Sequence, residues 1–204
     1  YAAEIQKSSP DFQFRVPFHL QYFAESRTND HKLHLGAAAW AVLGDVLAEN
    51  NRTATLFVGG PLLTYGKGSF VEMMGGARRS GNGKAESVIN LRFLEKSNSR
   101  LGVFGDLQYF PDEGGRRFYA FLSADTPVSF GRYSMRVGLE SENIFSFSGK
   151  KDSFGVGPRI VLPVPQKLIP DLKVALAVGY QHRTDRDFLR CYFTLTYPLS
   201  HKRK

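Results

Sequence analysis

The chain has 204 residues, 42% of them hydrophobic, with a mean hydropathy of -0.26, a formal charge of +8 and a sequence pI near 9.6. That length suits one domain of ordinary size, and the average hydropathy is that of a globular protein. The longest oily run, Leu35 to Gly44, is stopped by Asp45. It falls short of the ~20 apolar residues a spanning helix needs, which leaves a closed β-barrel as the one route into a membrane. One cysteine, Cys191, excludes an internal disulfide, and no Cys/His spacing suggests a metal site. The basic excess suits an anionic partner.

Residues 1–11 read as an N-terminal arm, and a first residue that is not Met points to a trimmed chain. Next comes FQFRVPFHLQYF, in which Phe12, Phe14, Val16, Phe18, Leu20 and Tyr22 alternate with polar residues. Alternation of this kind is a strand with one apolar face. Pro17 has no N–H to give a ladder, so a bulge or interruption is expected there. Leu33–Leu47 fits a strand with apolar residues at odd positions, although its Ala-rich middle would also suit a short helix. Thr53–Gly59 is β-prone and is expected to break at Gly59-Gly60-Pro61. Ser69–Arg79 is a weaker strand, and RRSGNGK, 78–84, a turn.

The pattern then becomes regular. Ser87, Ile89, Leu91 and Phe93 face away from Asn90 and Arg92. Leu101, Val103, Gly105, Leu107 and Tyr109 oppose Asp106 and Gln108. After the turn PDEGG, Phe118, Ala120, Leu122 and Ala124 oppose Tyr119, Ser123 and Asp125. Tyr133, Met135, Val137 and Leu139 oppose Arg136 and Glu140, and Ser141–Asp152 reads as a long connection. Phe154, Val156, Pro158, Ile160 and Leu162 oppose Gly155, Gly157 and Arg159. The loop PVPQKLIPD leads to a last hairpin: Leu172, Val174, Leu176, Val178 and Tyr180 in one strand, then Leu189, Cys191, Phe193, Leu195, Tyr197 and Leu199 in the other. Cys191 falls on the apolar side, as a small hydrophobe would.

Roughly eleven strands at this spacing imply an antiparallel meander. An even number is expected of a bacterial single-chain membrane barrel, which places the error in Leu33–Leu47 or Thr53–Arg79. Alternation alone does not say which face is dry. Aromatic residues of the apolar rows lie near strand ends (Phe12, Tyr22, Phe93, Tyr109, Phe118, Tyr133, Phe154, Tyr180, Tyr197), and aliphatics fill the middles. Two membrane interfaces account for that distribution, and a soluble core does not. With Leu195, Tyr197 and Leu199 closing the last strand, the chain resembles a bacterial outer-membrane β-barrel protein over about Phe12–Leu199. It departs from that class in ending the strand on Leu199 rather than an aromatic residue and in the basic residues 200–204 that follow.

The expectation is therefore an all-β, antiparallel up-and-down transmembrane β-barrel of about 10–12 strands over residues 12–199, flanked by the arm 1–11 and the tail 200–204. Arg15, Arg92, Asp106, Asp125, Arg136, Glu140, Arg159, Lys173 and Arg190 would face the lumen, and Leu107, Val137, Ile160, Leu176, Val178, Phe193 and Leu195 would face lipid. A basic interior would pass small anionic solutes. A filled interior would leave a structural anchor for other envelope proteins. The location implied is the bacterial outer membrane.

No catalytic set, metal site or cofactor is expected. Gly66-Lys67-Gly68 and Gly83-Lys84-Ala85 lack the Walker spacing and read as turn glycines. His182 lies near Asp185 and Asp187, and His19 and His34 fall on strands, but spacing puts no nucleophile beside any of them. A lipid- or peptide-hydrolysing barrel is thus an alternative, as is a soluble barrel holding an apolar ligand. Aromatics and cations occupy opposite faces, which argues against nucleic acid.

Overall fold

The computed structural model describes residues 11–23, 33–47, 52–66, 68–80, 83–96, 100–112, 116–131, 133–147, 152–164, 173–184 and 187–196. The N-terminal arm before Asp11, the basic tail and the closing residues Tyr197 and Leu199 lie outside them. Also outside are the side chains of Arg15, Lys173, Arg190, Cys191, Phe193 and Leu195, whose backbones are strand.

All described elements are strands: β1 (Asp11–Phe23), β2 (His34–Leu47), β3 (Arg52–Tyr65), β4 (Ser69–Ser80), β5 (Ala85–Glu95), β6 (Gly102–Phe110), β7 (Arg117–Phe130), β8 (Tyr133–Ser146), β9 (Ser153–Val164), β10 (Lys173–Arg183) and β11 (Asp187–Thr196). Each pairs antiparallel with the next in sequence, giving one up-and-down sheet. The strand order then returns to its start through a short parallel contact of β1 with β11, at Asp11↔Phe188, Phe12↔Leu189 and Gln13↔Arg190. Here the even-number expectation fails. In a meander, odd-numbered strands all run one way, so β1 and β11 can meet only in parallel.

Both regions suspected of error are strands. β2 is extended throughout, with a register shift between Val42 and Val46. β3 runs straight through Gly59, Gly60 and Pro61 instead of breaking. Its ladder with β2 is continuous there, at Ala39↔Gly59, Ala38↔Gly60 and Ala37↔Pro61, while the ladder with β4 skips two positions and resumes in the same register. Gly60 is needed because a Cβ would strike the Met73 carbonyl of β4. The bulge expected at Pro17 is present as a register shift between Arg15 and Pro17. β8 continues to Ser146, so the first half of the expected connection Ser141–Asp152 is strand. Gly66 (φ 57) and Gly68 (φ 104) lie in the left-handed region at the β3–β4 turn, the role given to them by elimination.

The two faces of the sheet differ sharply. The buried face carries Glu72, Asn90 and Gln181 at 0% exposure and Glu140 at 1%. The opposite face exposes Leu35, Phe57, Met73, Ile89, Leu122, Leu139, Val156 and Ile160. Among described side chains on this second face, Arg79, Glu95 and Asp187 carry charge, and all three sit at strand ends. Tyr22, Tyr65, Phe93, Phe130 and Tyr133 lie towards one end of it; Tyr109, Phe118, Phe145, Phe154 and Tyr180 lie towards the other. The rings of Phe118, Phe145 and Phe154 touch in series, with centroids 6.0 and 5.3 Å apart.

Candidate functional site

Register brings the buried charges together. Glu72 on β4 pairs with Arg92 on β5, and Arg92 with Asp106 on β6, so one row reads acid, base, acid. The Glu72 carboxylate accepts hydrogen bonds from Gln21 Nε2 (2.7 Å) and Arg92 Nη1 (3.4 Å), and His19 Nε2 lies 2.6 Å away. The Arg92 guanidinium carbon lies 3.9 Å from the centroid of the Trp40 ring and 5.5 Å from that of Phe104. Asp106 accepts from Asn90 Nδ2 (2.6 Å) and Gln108 Nε2 (3.2 Å). This is how a guanidinium and two carboxylates tolerate burial: each charge has an opposite charge or donors around it.

A second group lies on β7–β10. Arg136 Nε donates to Asp125 Oδ1, and its Nη2 to the Asp125 carbonyl at 2.9 Å. Arg159 stands between Asp125 (4.0 Å) and Glu140 (3.9 Å). Gln181 Nε2 donates to Glu140 Oε1 at 3.0 Å. Two glycines act as seats for these long side chains. A Cβ on Gly179 would overlap the Glu140 carboxylate, and one on Gly102 would come within 2.7 Å of Arg136 Nη2. At these two positions charged groups fill the space that a small residue leaves. A third pair, Arg117 and Glu86, is bidentate at 2.6 and 3.2 Å, with Arg117 over the Phe110 ring.

Of the residues predicted to face a lumen, Arg92, Asp106, Asp125, Arg136, Glu140 and Arg159 lie on this buried face. Of those predicted to face lipid, Ile160 is 43% exposed on the other face, and Leu107, Val137, Leu176 and Val178 are half-buried there. Sequence reasoning missed Glu72, Glu86 and Glu142 as inward groups, while parity had already put His19 and Gln181 on the polar side. The basic excess expected inside is absent among the described residues: Arg78, Arg92, Arg117, Arg136 and Arg159 share this face with Glu72, Glu86, Asp106, Asp125, Glu140 and Glu142. It also missed an apolar sector on the same face, where Val58, Leu62, Met74, Val88 and Phe110 pack tightly at 0–3% exposure. The signal was there in TLFVGGPLL. A strand apolar on both parities is covered on both faces.

Among the histidines, His19 belongs to the Glu72 group, and His182 Nδ1 lies 2.8 Å from Asp187 Oδ1 at the end of β10. Asp185 lies outside the described residues. Among the described residues no cluster of His, Cys, Asp and Glu could hold a metal ion. No family model, curated protein or solved structure matches the chain.

Proposed function

We propose that this chain is an integral outer-membrane β-barrel with a filled, ion-paired interior: a membrane-embedded scaffold, not a solute channel. The observation that carries the reading is the inversion of the two faces. Charged and amide side chains at 0–1% exposure occupy one face, while Leu35 (75%), Phe57 (65%) and Leu139 (59%) stand exposed on the other. Soluble monomers rarely expose apolar surface on that scale, whereas lipid is its natural solvent. Aromatic residues at both ends of the exposed face match the two interfaces of a bilayer. The short parallel β1–β11 contact supports a closed-barrel reading, since an open sheet edge is not tolerated in hydrocarbon.

The channel alternative rested on an inward basic excess. The balanced ion pairs and the packed sector of Val58, Leu62 and Met74 favour the scaffold instead. Purification and planar-bilayer recording test both parts. The protein is expected to stay monodisperse only with detergent, and reconstituted protein to show no steady conductance. Monodispersity in plain buffer at high concentration would overturn the membrane reading in favour of a soluble barrel with an apolar ligand. Anion-selective current would overturn the scaffold.

A further inference from the structure

The joint between β1 and β11 is the shortest in the sheet. Among the described residues these two strands pair only at Asp11↔Phe188, Phe12↔Leu189 and Gln13↔Arg190. Beyond those pairs, residues 14–23 of β1 and 191–196 of β11 have no ladder partner on the edges that border the seam. Their other edges are taken: β2 pairs along β1 as far as Phe23, and β10 along β11 as far as Thr196. Two rows of backbone N–H and C=O groups are thus left along the seam. Such an edge is not tolerated in hydrocarbon, and in water it is a template for aggregation. The need for an occupant therefore holds in either solvent and does not rest on the membrane reading.

Direction decides what can fill the seam. β1 and β11 run the same way, so one strand antiparallel to both would complete two ladders. It would also bring the count to twelve, the even number of an all-antiparallel closure. A second copy in the same orientation offers only edges that run the same way as these. Residues 1–7, which lie outside the described residues, meet the requirement by their place in the chain. They precede Asp11, at the paired end of the seam. A reversal just before β1 would send them back along its open edge in the antiparallel sense.

The sequence of the arm suits that course. In YAAEIQK, Tyr1, Ala3 and Ile5 alternate with Ala2, Glu4 and Gln6. That is the period of a strand with one apolar side. Ser8-Ser9-Pro10-Asp11 consists of turn-favouring residues. A four-residue loop there, a common hairpin length, sets Lys7 opposite Phe12 at the rim. Ile5 then falls opposite Phe14, Ala3 opposite Val16 and Tyr1 opposite Phe18, apolar with apolar. Glu4 falls opposite Arg15, acid with base. A slip of one residue would mismatch all four pairs.

We propose that residues 1–7 form a strand that inserts between β1 and β11, antiparallel to both, and closes the barrel. The three parallel pairs open to admit it. Counted on from Phe12↔Leu189, Cys191 is level with Phe14, and so with Ile5 in the inserted strand. Ile5, Phe14 and Cys191 all belong to apolar rows, which makes the single native cysteine a reporter of the insertion.

Folded protein in detergent, with Cys191 kept, is oxidised with copper phenanthroline after one substitution in the arm: Ala2→Cys, Ala3→Cys, Glu4→Cys or Ile5→Cys. Non-reducing gels and peptide mass spectrometry locate the disulfides. Adjacent strands stand about 4.8 Å apart, within disulfide reach, whereas strands once removed stand about 10 Å apart and beyond it. Ile5→Cys is expected to bond Cys191 within the chain, Ala3→Cys less completely, and Ala2→Cys and Glu4→Cys, on the opposite row, not at all. In Cys191→Ala protein, the pair Phe12→Cys and Leu189→Cys is expected to cross-link only once residues 1–7 are deleted. Hydrogen exchange of the unsubstituted chain needs no variant to fold: the amides of residues 2–7 are expected to exchange as slowly as those of β2. Exchange there at the rate of a free peptide overturns the insertion. So does a disulfide from the Phe12→Cys, Leu189→Cys pair in the full chain, or one to Cys191 that forms only between chains. Each of these leaves the membrane reading standing. Cross-linking from Glu4→Cys as complete as from Ile5→Cys overturns the register.

Discussion

Leu139 and Ile160 lie near the middles of β8 and β9, 59% and 43% exposed on the outward face. That makes arginine at either position a direct assay of the solvent around the sheet. In water, a substitution at such a surface position changes stability by no more than about 0.5 kcal/mol either way. In hydrocarbon, arginine on the lipid face of a barrel costs about 2–4 kcal/mol at the midplane and about 0–1 kcal/mol near the interfaces. Leu139→Arg and Ile160→Arg are therefore expected to lose about 2–4 kcal/mol, and Tyr133→Arg, at the start of β8, less than about 1 kcal/mol. The measurement is equilibrium guanidinium unfolding in phospholipid vesicles. The single tryptophan, Trp40, serves as reporter, since its contact with Arg92 on the buried face is lost on unfolding. Flat results within about 0.5 kcal/mol at Leu139 and Ile160 would refute the sidedness. A loss at Tyr133 equal to that at Leu139 would refute the height assigned to the band.

Two further predictions concern the buried face. Arg92→Ala strips Glu72 of its cation inside a site where Glu72 is 0% exposed, and should cost about 3–5 kcal/mol. The same substitution in a Glu72→Gln background should cost clearly less, so a double-mutant cycle that is additive within about 0.5 kcal/mol would show that the two groups do not share a site. Gly179→Ala places a methyl group where the Glu140 carboxylate lies, and is expected to destabilise by about 1–3 kcal/mol. Adding Glu140→Ala should recover part of that loss in the same unfolding assay. A Gly179→Ala protein as stable as wild type would mean that Glu140 lies elsewhere.

The sequence was most legible from β5 to β10, where polar and apolar residues alternate over most of each strand. Asn90 and Arg92, Asp106 and Gln108, and Asp125, Arg136, Glu140 and Arg159 could each be placed on a face by parity alone. It was less legible in β3 and β4. There Leu56, Val58 and Leu62 pack inward while Phe57 and Leu63 point outward, so both parities are apolar and the period-2 signal vanishes. Glu72 was lost for the same reason, being the one charge in the apolar stretch SFVEMM. What no periodicity could supply was the pairing across strands. That Glu72 meets Arg92, or that Gly179 seats Glu140, depends on register and on the reach of side chains from non-adjacent strands.

The same limit explains why the outward polar cluster escaped detection. Ser141 and Asn143 ended the apolar run of β8, and the stretch after Glu140 was consequently read as a loop. Yet the strand persists to Ser146, because Glu142 stays on the buried face and β9 continues to pair, at Ser141↔Val156 and Asn143↔Phe154. A strand that keeps its ladder while breaking its own pattern carries residues that packing did not select. Nothing in an outward apolar row rewards a serine and an asparagine two positions apart. Each would be better replaced by an aliphatic residue unless its polar group is used. His182 breaks the row of β10 at the same height, and Asp187 and Tyr180 spend hydrogen bonds holding it. Ser141 with Asn143 on β8, and His182 with Asp187 across β10 and β11, are thus two outward polar pairs that parity alone left unread.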